Sequence, residues 1–162
     1  MNIPKRVFYG DTGNSWLHTI RICAEPPLFR NLIDGERRCG AYILPPFQRN
    51  FVWSSLQQER LIESIYMGLP IGAIIVNFTE KESGCNGWLL DGQQRMTTIY
   101  SYMNGEFPVY GSLFSELTNE ERNHFYRIGI TFIQTDITDP VLCEDLYNRL
   151  AYGGTNHLER KM

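Results

Sequence analysis

The residues best suited to chemistry lie together at Asp91-Gly92-Gln93-Gln94-Arg95. An apolar run from Trp88 precedes them and reads as a short strand. After the turn at Asp91-Gly92, Met96, Ile99, Tyr100 and Met103 recur at i, i+3, i+4 and i+7, and Gly105 follows, which predicts a helix from Gln93 with a stop at Gly105. A strand that feeds a glycine turn and a helix start gathers unpaired backbone N–H groups and the positive helix end at one point, which is an anion site by construction. Arg95 adds a fixed charge with a fork of donors suited to phosphate. A cation in the first turn opposes the helix dipole, so its placement makes sense where an anion is expected. The same spacing also describes a strand-turn-helix whose first turn is merely solvated, with Asp91 as a helix cap.

The elements that must position this motif can be read in order. Residues 1–14 read as a loosely ordered lead-in. Ser15 is placed to cap a short helix over 16–24 that Pro26-Pro27 ends. Residues 28–34 suit a strand leading to a turn at Asp34-Gly35. Cys-Gly and an alternating Ala-Tyr-Ile-Leu run then suggest a hairpin. Pro45-Pro46 fix an extended backbone before Phe47-Gln48-Arg49-Asn50-Phe51-Val52-Trp53, where polar groups sit among large apolar ones. Ser54 or Ser55 caps the next helix, with Gln58 as capping-box partner to Ser55. Leu61, Ile62, Ile65 and Tyr66 are its buried stripe, and Gly68 stops it. Pro70–Phe78 reads as a buried strand and Lys81–Gly87 as a polar loop. Thr118-Asn-Glu-Glu121 opens a helix, and 130–137 alternates as a strand. Asp139-Pro140 starts a last helix whose buried side is read as Leu142, Leu146 and Leu150, with Asn148 and Arg149 near its end at Gly153-Gly154.

Composition bounds the function. With 162 residues, 43% hydrophobic and 20% charged, the chain suits one globular domain with a real core. A net charge of −3 speaks against retention on nucleic acid by phosphate neutralisation alone, although a local basic cleft remains compatible with it. The four cysteines (Cys23, Cys39, Cys85, Cys143) form no Cys-x-x-Cys pair, which reads as reduced structural thiols in a cytoplasmic protein without cysteine-bound metal. No apolar run is long enough to cross a bilayer, and no membrane partner is expected.

Three pieces together carry a family signal: Pro45-Pro-Phe-Gln-Arg-Asn-Phe-Val-Trp53, Asp91-Gly-Gln-Gln-Arg-Met-Thr-Thr98 and Tyr147-Asn-Arg-Leu-Ala-Tyr-Gly-Gly-Thr155. They resemble the N-terminal domain of GmrSD-type (type IV) restriction enzymes and related phage-defence NTPases of the ParB/sulfiredoxin-like superfamily, over roughly residues 16–160. The resemblance implies an α+β fold, a small mixed sheet flanked by helices, with residues 1–15 as lead-in and 16–162 as the nucleotide-binding domain. It implies nucleoside triphosphate binding with Mg²⁺, and hydrolysis or phosphoryl transfer, in a bacterial or phage-infected cell. Gln48, Arg49, Gly92, Arg95, Asn148 and Arg149 would bind nucleotide; Asp91, Gln93, Gln94 and Arg95 would serve catalysis, with Asp91 on the metal. The residues themselves agree: Arg49, Arg95 and Arg149 come from distant element ends, and a triphosphate needs charge stabilisation and positioning above all. Asp91 is the one acidic residue of its motif and so the candidate for Mg²⁺, directly or through water; Gln93 or Gln94 would orient an attacking water.

Two departures qualify the resemblance. Ala151 stands where the family commonly has Asn after Arg-Leu, and no C-terminal HNH nuclease domain is expected, the three histidines being scattered. A binding or sensing module without turnover is therefore a second expectation. A ParB-like DNA-binding or nicking protein is a third, with DNA or a separate nuclease subunit as partner. Gly35-Glu36-Arg37-Arg38 also matches an element of the ParB partition proteins' nucleotide site, but a charged hairpin turn accounts for it. Oligomeric state and the nucleotide base are not legible in the sequence.

Overall fold

The apolar run Trp88–Leu90 is buried on both faces, and its side chains alternate between two cores as strand geometry requires. Leu89 joins one cluster; Trp88 and Leu90 join the other. Ile74 and Val76 of the neighbouring strand follow Leu89, while Ile75 packs with Leu90. A sheet buried on both sides must carry helices on both sides, and this one does.

The computed structural model describes residues 10–16, 30–79 and 83–152. Within them, six strands form one mixed sheet: β1 (Gly10–Trp16), β2 (Arg37–Cys39), β3 (Tyr42–Leu44), β4 (Ile74–Asn77), β5 (Trp88–Asp91) and β6 (Gly129–Thr135). Their order is β1-β6-β4-β5-β3-β2, with β3–β5 and β4–β6 parallel and the other pairs antiparallel. Four helices accompany them: α1 (Ser55–Tyr66), α2 (Gln93–Met103), α3 (Asn119–Tyr126) and α4 (Pro140–Tyr152). Leu61, Ile62 and Ile65 of α1, Met96 and Ile99 of α2 and Phe125 of α3 fill the larger cluster on one face. Cys143 of α4 fills the smaller one on the other. The fold is α+β, as expected.

Local signals placed most elements. Ser54 caps α1 with Gln57 as capping-box partner, one residue ahead of the Ser55–Gln58 pairing read from sequence. Thr118 and Glu121 form the box that opens α3, and Val141 N–H donates to Asp139 Oδ1 at 2.9 Å at the start of α4. Cys39, Cys85 and Cys143 are free and buried, and no helix among the described residues is long and apolar enough to cross a membrane.

Long-range pairing changed the rest. Residues 10–14, read as lead-in, and Ser15 and Trp16, read as a helix start, form β1, which pairs antiparallel with β6 along its whole length. Strand hydrogen bonds supplied by β6 are invisible to a local reading of this polar, glycine-containing segment. The remainder of that helix and of the lead-in, and Gly153-Gly154, lie outside the described residues. Residues 30–33 are irregular before the turn at Asp34-Gly35. On α4 the buried stripe is Cys143 and Tyr147, with Leu146 partly buried; Leu142 and Leu150 are exposed. The smaller residue Cys143 fits closest to the sheet, so the helix is rotated from the face its leucines suggest.

Candidate functional site

β5 ends at Asp91, the chain reverses at Gly92, and α2 begins at Gln93. Gly92 has φ 99°, and a Cβ there would stand 2.4 Å from Ile74 Cδ1, so both conformation and space demand glycine. No side chain caps the helix, leaving its first N–H groups without a side-chain acceptor at its positive end. Around this point lies a cleft of about 260 Å³. Its walls are the Gln48–Arg49 segment and Trp53, residues Asp91–Arg95, and Tyr147, Leu150, Ala151 and Tyr152 of α4. Three sequence-distant pieces thus converge.

The two glutamines of the motif have different situations. Gln94 is engaged at both ends: its Oε1 accepts from Val52 N–H (2.9 Å) and Trp53 N–H (3.2 Å), and its Nε2 donates to the Asn50 carbonyl (3.2 Å). It straps the 50–53 segment to the helix start. Gln93 is equally buried, 5% exposed, yet its Oε1 has no partner among the described residues. A buried carboxamide oxygen without a donor costs stability, and the residue that carries it belongs to the cleft wall. Gln48, also buried, donates to the Leu89 carbonyl at 3.0 Å and ties its segment to β5.

The charges divide in the same way. Arg95 donates to Asp91 Oδ2 (2.8 Å) and to the Ile71 carbonyl (2.7 Å), so its guanidinium is held in the wall. A Cβ on Gly72 would come within 2.8 Å of it. Arg49 is exposed, and among the described residues no hydrogen bond or ion pair holds its guanidinium. Asp91 is the cleft's one acidic side chain, 45% exposed with one oxygen engaged by Arg95. Asn148 and Arg149 are exposed and do not line the cleft. Arg149 pairs instead with Asp145 at 2.8 Å along its own helix, which raises its already high pKa. No group of three or more metal-ligating side chains exists among the described residues.

Residues outside the predicted set complete the walls. Trp53, Tyr147, Leu150 and Tyr152 line the cleft beside Ala151; the i, i+3, i+4 spacing of 147, 150 and 151 was the available signal. Arg37 donates to the Gln48 carbonyl (2.5 Å), the Arg49 carbonyl (3.2 Å) and Asn50 Oδ1 (3.0 Å). The charged hairpin run thereby fastens the cleft wall from behind. Its turn lies later, at Gly40-Ala41, and Arg37 and Arg38 are on β2 itself.

The family described as "GmrSD restriction endonuclease, N-terminal domain" matches residues 28–154. An uncharacterized protein of Methanocaldococcus jannaschii is 30% identical over 104 residues, covering 49% of this chain and 18% of that protein. The chain thus spans under a fifth of the length of that relative. No solved structure matches.

Proposed function

The chain belongs to the GmrSD restriction-endonuclease N-terminal-domain family, associated with restriction and phage defence, and from that premise we propose that its cleft binds a nucleoside triphosphate and, with Mg²⁺, hydrolyses it or transfers its phosphoryl group. One observation carries the reading: an uncapped helix start, a free arginine and a buried unpartnered carboxamide share one cleft. The first two favour an anion. The third needs a hydrogen-bond donor, and an attacking water supplies one.

The division of labour follows from the contacts. The α2 N–H groups and Arg49 take phosphate oxygens. Arg95, fixed by Asp91 and Ile71, contributes charge from the wall without moving. Asp91 keeps one carboxylate oxygen clear of Arg95, which suits Mg²⁺, an ion commonly held by one or two carboxylates with the remaining positions filled by phosphate and water. When bound, the ion would offset charge on the phosphates. Gln93 orients water, and Gln94 and Arg37 hold the Gln48–Trp53 segment in place.

A thermal-shift screen with ATP, GTP, CTP, UTP and cyclic dinucleotides, with and without Mg²⁺, tests this. Ligand at a hundredfold its Kd adds about 2.7 kcal/mol, a shift of several degrees for this size. A Mg²⁺-dependent shift that Arg49→Ala diminishes is expected; no shift with any nucleotide overturns the proposal. Ala151 in the cleft wall favours a second reading, binding without turnover. Comparing hydrolysis by the parent and Ala151→Asn decides between them, because a pure binder shows none in the parent and gains none when the amide is restored.

A further inference from the structure

We infer that the α4 wall of the cleft is a nucleobase platform on which the exposed ring of Tyr152 stacks a planar base, so that the cleft reads a whole nucleotide and not only its phosphates. The inference rests on the nucleotide reading above and adds a specificity site to it. The walls of the cleft differ in chemistry: Asp91–Arg95 and Arg49 are polar and charged, Tyr147 and Tyr152 bring aromatic rings from α4, and Trp53 stands beside Gln94.

The three rings differ in support. Tyr147 is 6% exposed and wedged against Phe47, ring centroids 5.3 Å apart, so it is a fixed post. Trp53 is half-buried, packs against the larger core, and its backbone is held by Gln94. Tyr152 stands on the last described turn of α4, 71% exposed. It meets Tyr147 edge-to-face, with centroids 6.5 Å apart and planes at 90°, an arrangement that favours one ring orientation. Among the described residues it makes no other ring contact. An exposed aromatic face, oriented by a buried neighbour and lining a cleft, is what base stacking uses. Ala151 beside it adds only a methyl group, so the approach is not obstructed by a larger side chain.

The test uses two probes on the intact chain with Mg²⁺: the four common nucleoside triphosphates, and inorganic tripolyphosphate, which keeps the charge and lacks a base. The parent should bind at least one nucleotide more tightly than tripolyphosphate. Tyr152→Ala should weaken that nucleotide roughly ten- to hundredfold while leaving tripolyphosphate affinity unchanged, and Tyr152→Trp should restore it. Tyr152 is exposed, so the variants leave the core intact. If the parent binds tripolyphosphate and nucleotides, and Tyr152→Ala changes neither, the platform is overturned and the phosphate reading stands. If the parent binds neither probe, both readings fall together.

Discussion

An arginine–carboxylate pair stands at each end of strand β5, and the two ends differ in how completely the carboxylates are used. At its start, the buried Glu36 carboxylate accepts from Arg30 (2.5 and 2.7 Å), Ile33 N–H (2.9 Å) and Trp88 Nε1 (2.5 Å). Both oxygens are satisfied and the side chain is fully buried. At its end, Asp91 gives one oxygen to Arg95 and remains half-exposed, beside a helix start no side chain caps and a Gln93 oxygen with no partner among the described residues. The first end is closed at the carboxylate: both oxygens are used, and only the buried Arg30 Nε lacks a partner among the described residues. The second has capacity left over. Gly-Glu-Arg-Arg and Asp-Gly-Gln-Gln-Arg look comparable as letters, and the distinction between them is the unspent hydrogen bonds.

The largest expected effect lies at the closed end. Glu36→Ala leaves Arg30 without its carboxylate and should cost about 3–5 kcal/mol, read as a lower urea midpoint. Burial opposes the Glu36 charge, but the hydrogen bonds from Arg30, Ile33 and Trp88 outweigh it and hold its pKa below the usual 4.5. A carboxyl lowered on folding stabilises above its unfolded pKa, so this contribution should fade as pH falls from near 4.5 through the lower folded value. Glu36→Gln should flatten that acid limb.

A sharper contrast separates the adjacent glutamines. Gln94→Ala removes three hydrogen bonds to the 50–53 segment and should cost about 1–3 kcal/mol. Gln93→Met removes an unpartnered buried oxygen and should leave thermal stability equal or higher while abolishing turnover. A large stability loss from Gln93→Met would erase the distinction. Arg49→Ala, at an exposed side chain, should stay within about 0.5 kcal/mol of the parent and weaken triphosphate binding tenfold or more by calorimetry. The smallest effect belongs to Arg149→Ala, which should leave nucleotide affinity unchanged; a loss comparable to Arg49→Ala would return α4's arginine to the cleft.

Much of this was legible from local pattern. The strand-turn-helix at 88–105 follows from a short apolar run, a glycine and a helical repeat. The capped starts of α1, α3 and α4 follow from Ser, Thr and Asp at the right offsets, because a cap is satisfied within three residues. β1 was not legible, since its partner β6 lies more than a hundred residues away. Nor was the rotation of α4, which depends on Cys143 fitting the sheet more closely than Leu142 or Leu150.

The sequence by itself determined that a helix starts at Gln93 after a strand and a glycine turn, and it put forward Arg49, Asp91 and Arg95 as candidates for the chemistry there. It left Gln93 and Gln94 interchangeable. Only the tertiary structure separated them, because Gln94's partners lie 41 to 44 residues away while Gln93 has none among the described residues. The same long-range contacts turned Arg37 into a strap, left Arg149 outside the cleft and brought Tyr152 to its edge. Helix starts and turns are settled by neighbours in the chain. Whether a polar group is already satisfied is settled by neighbours in space.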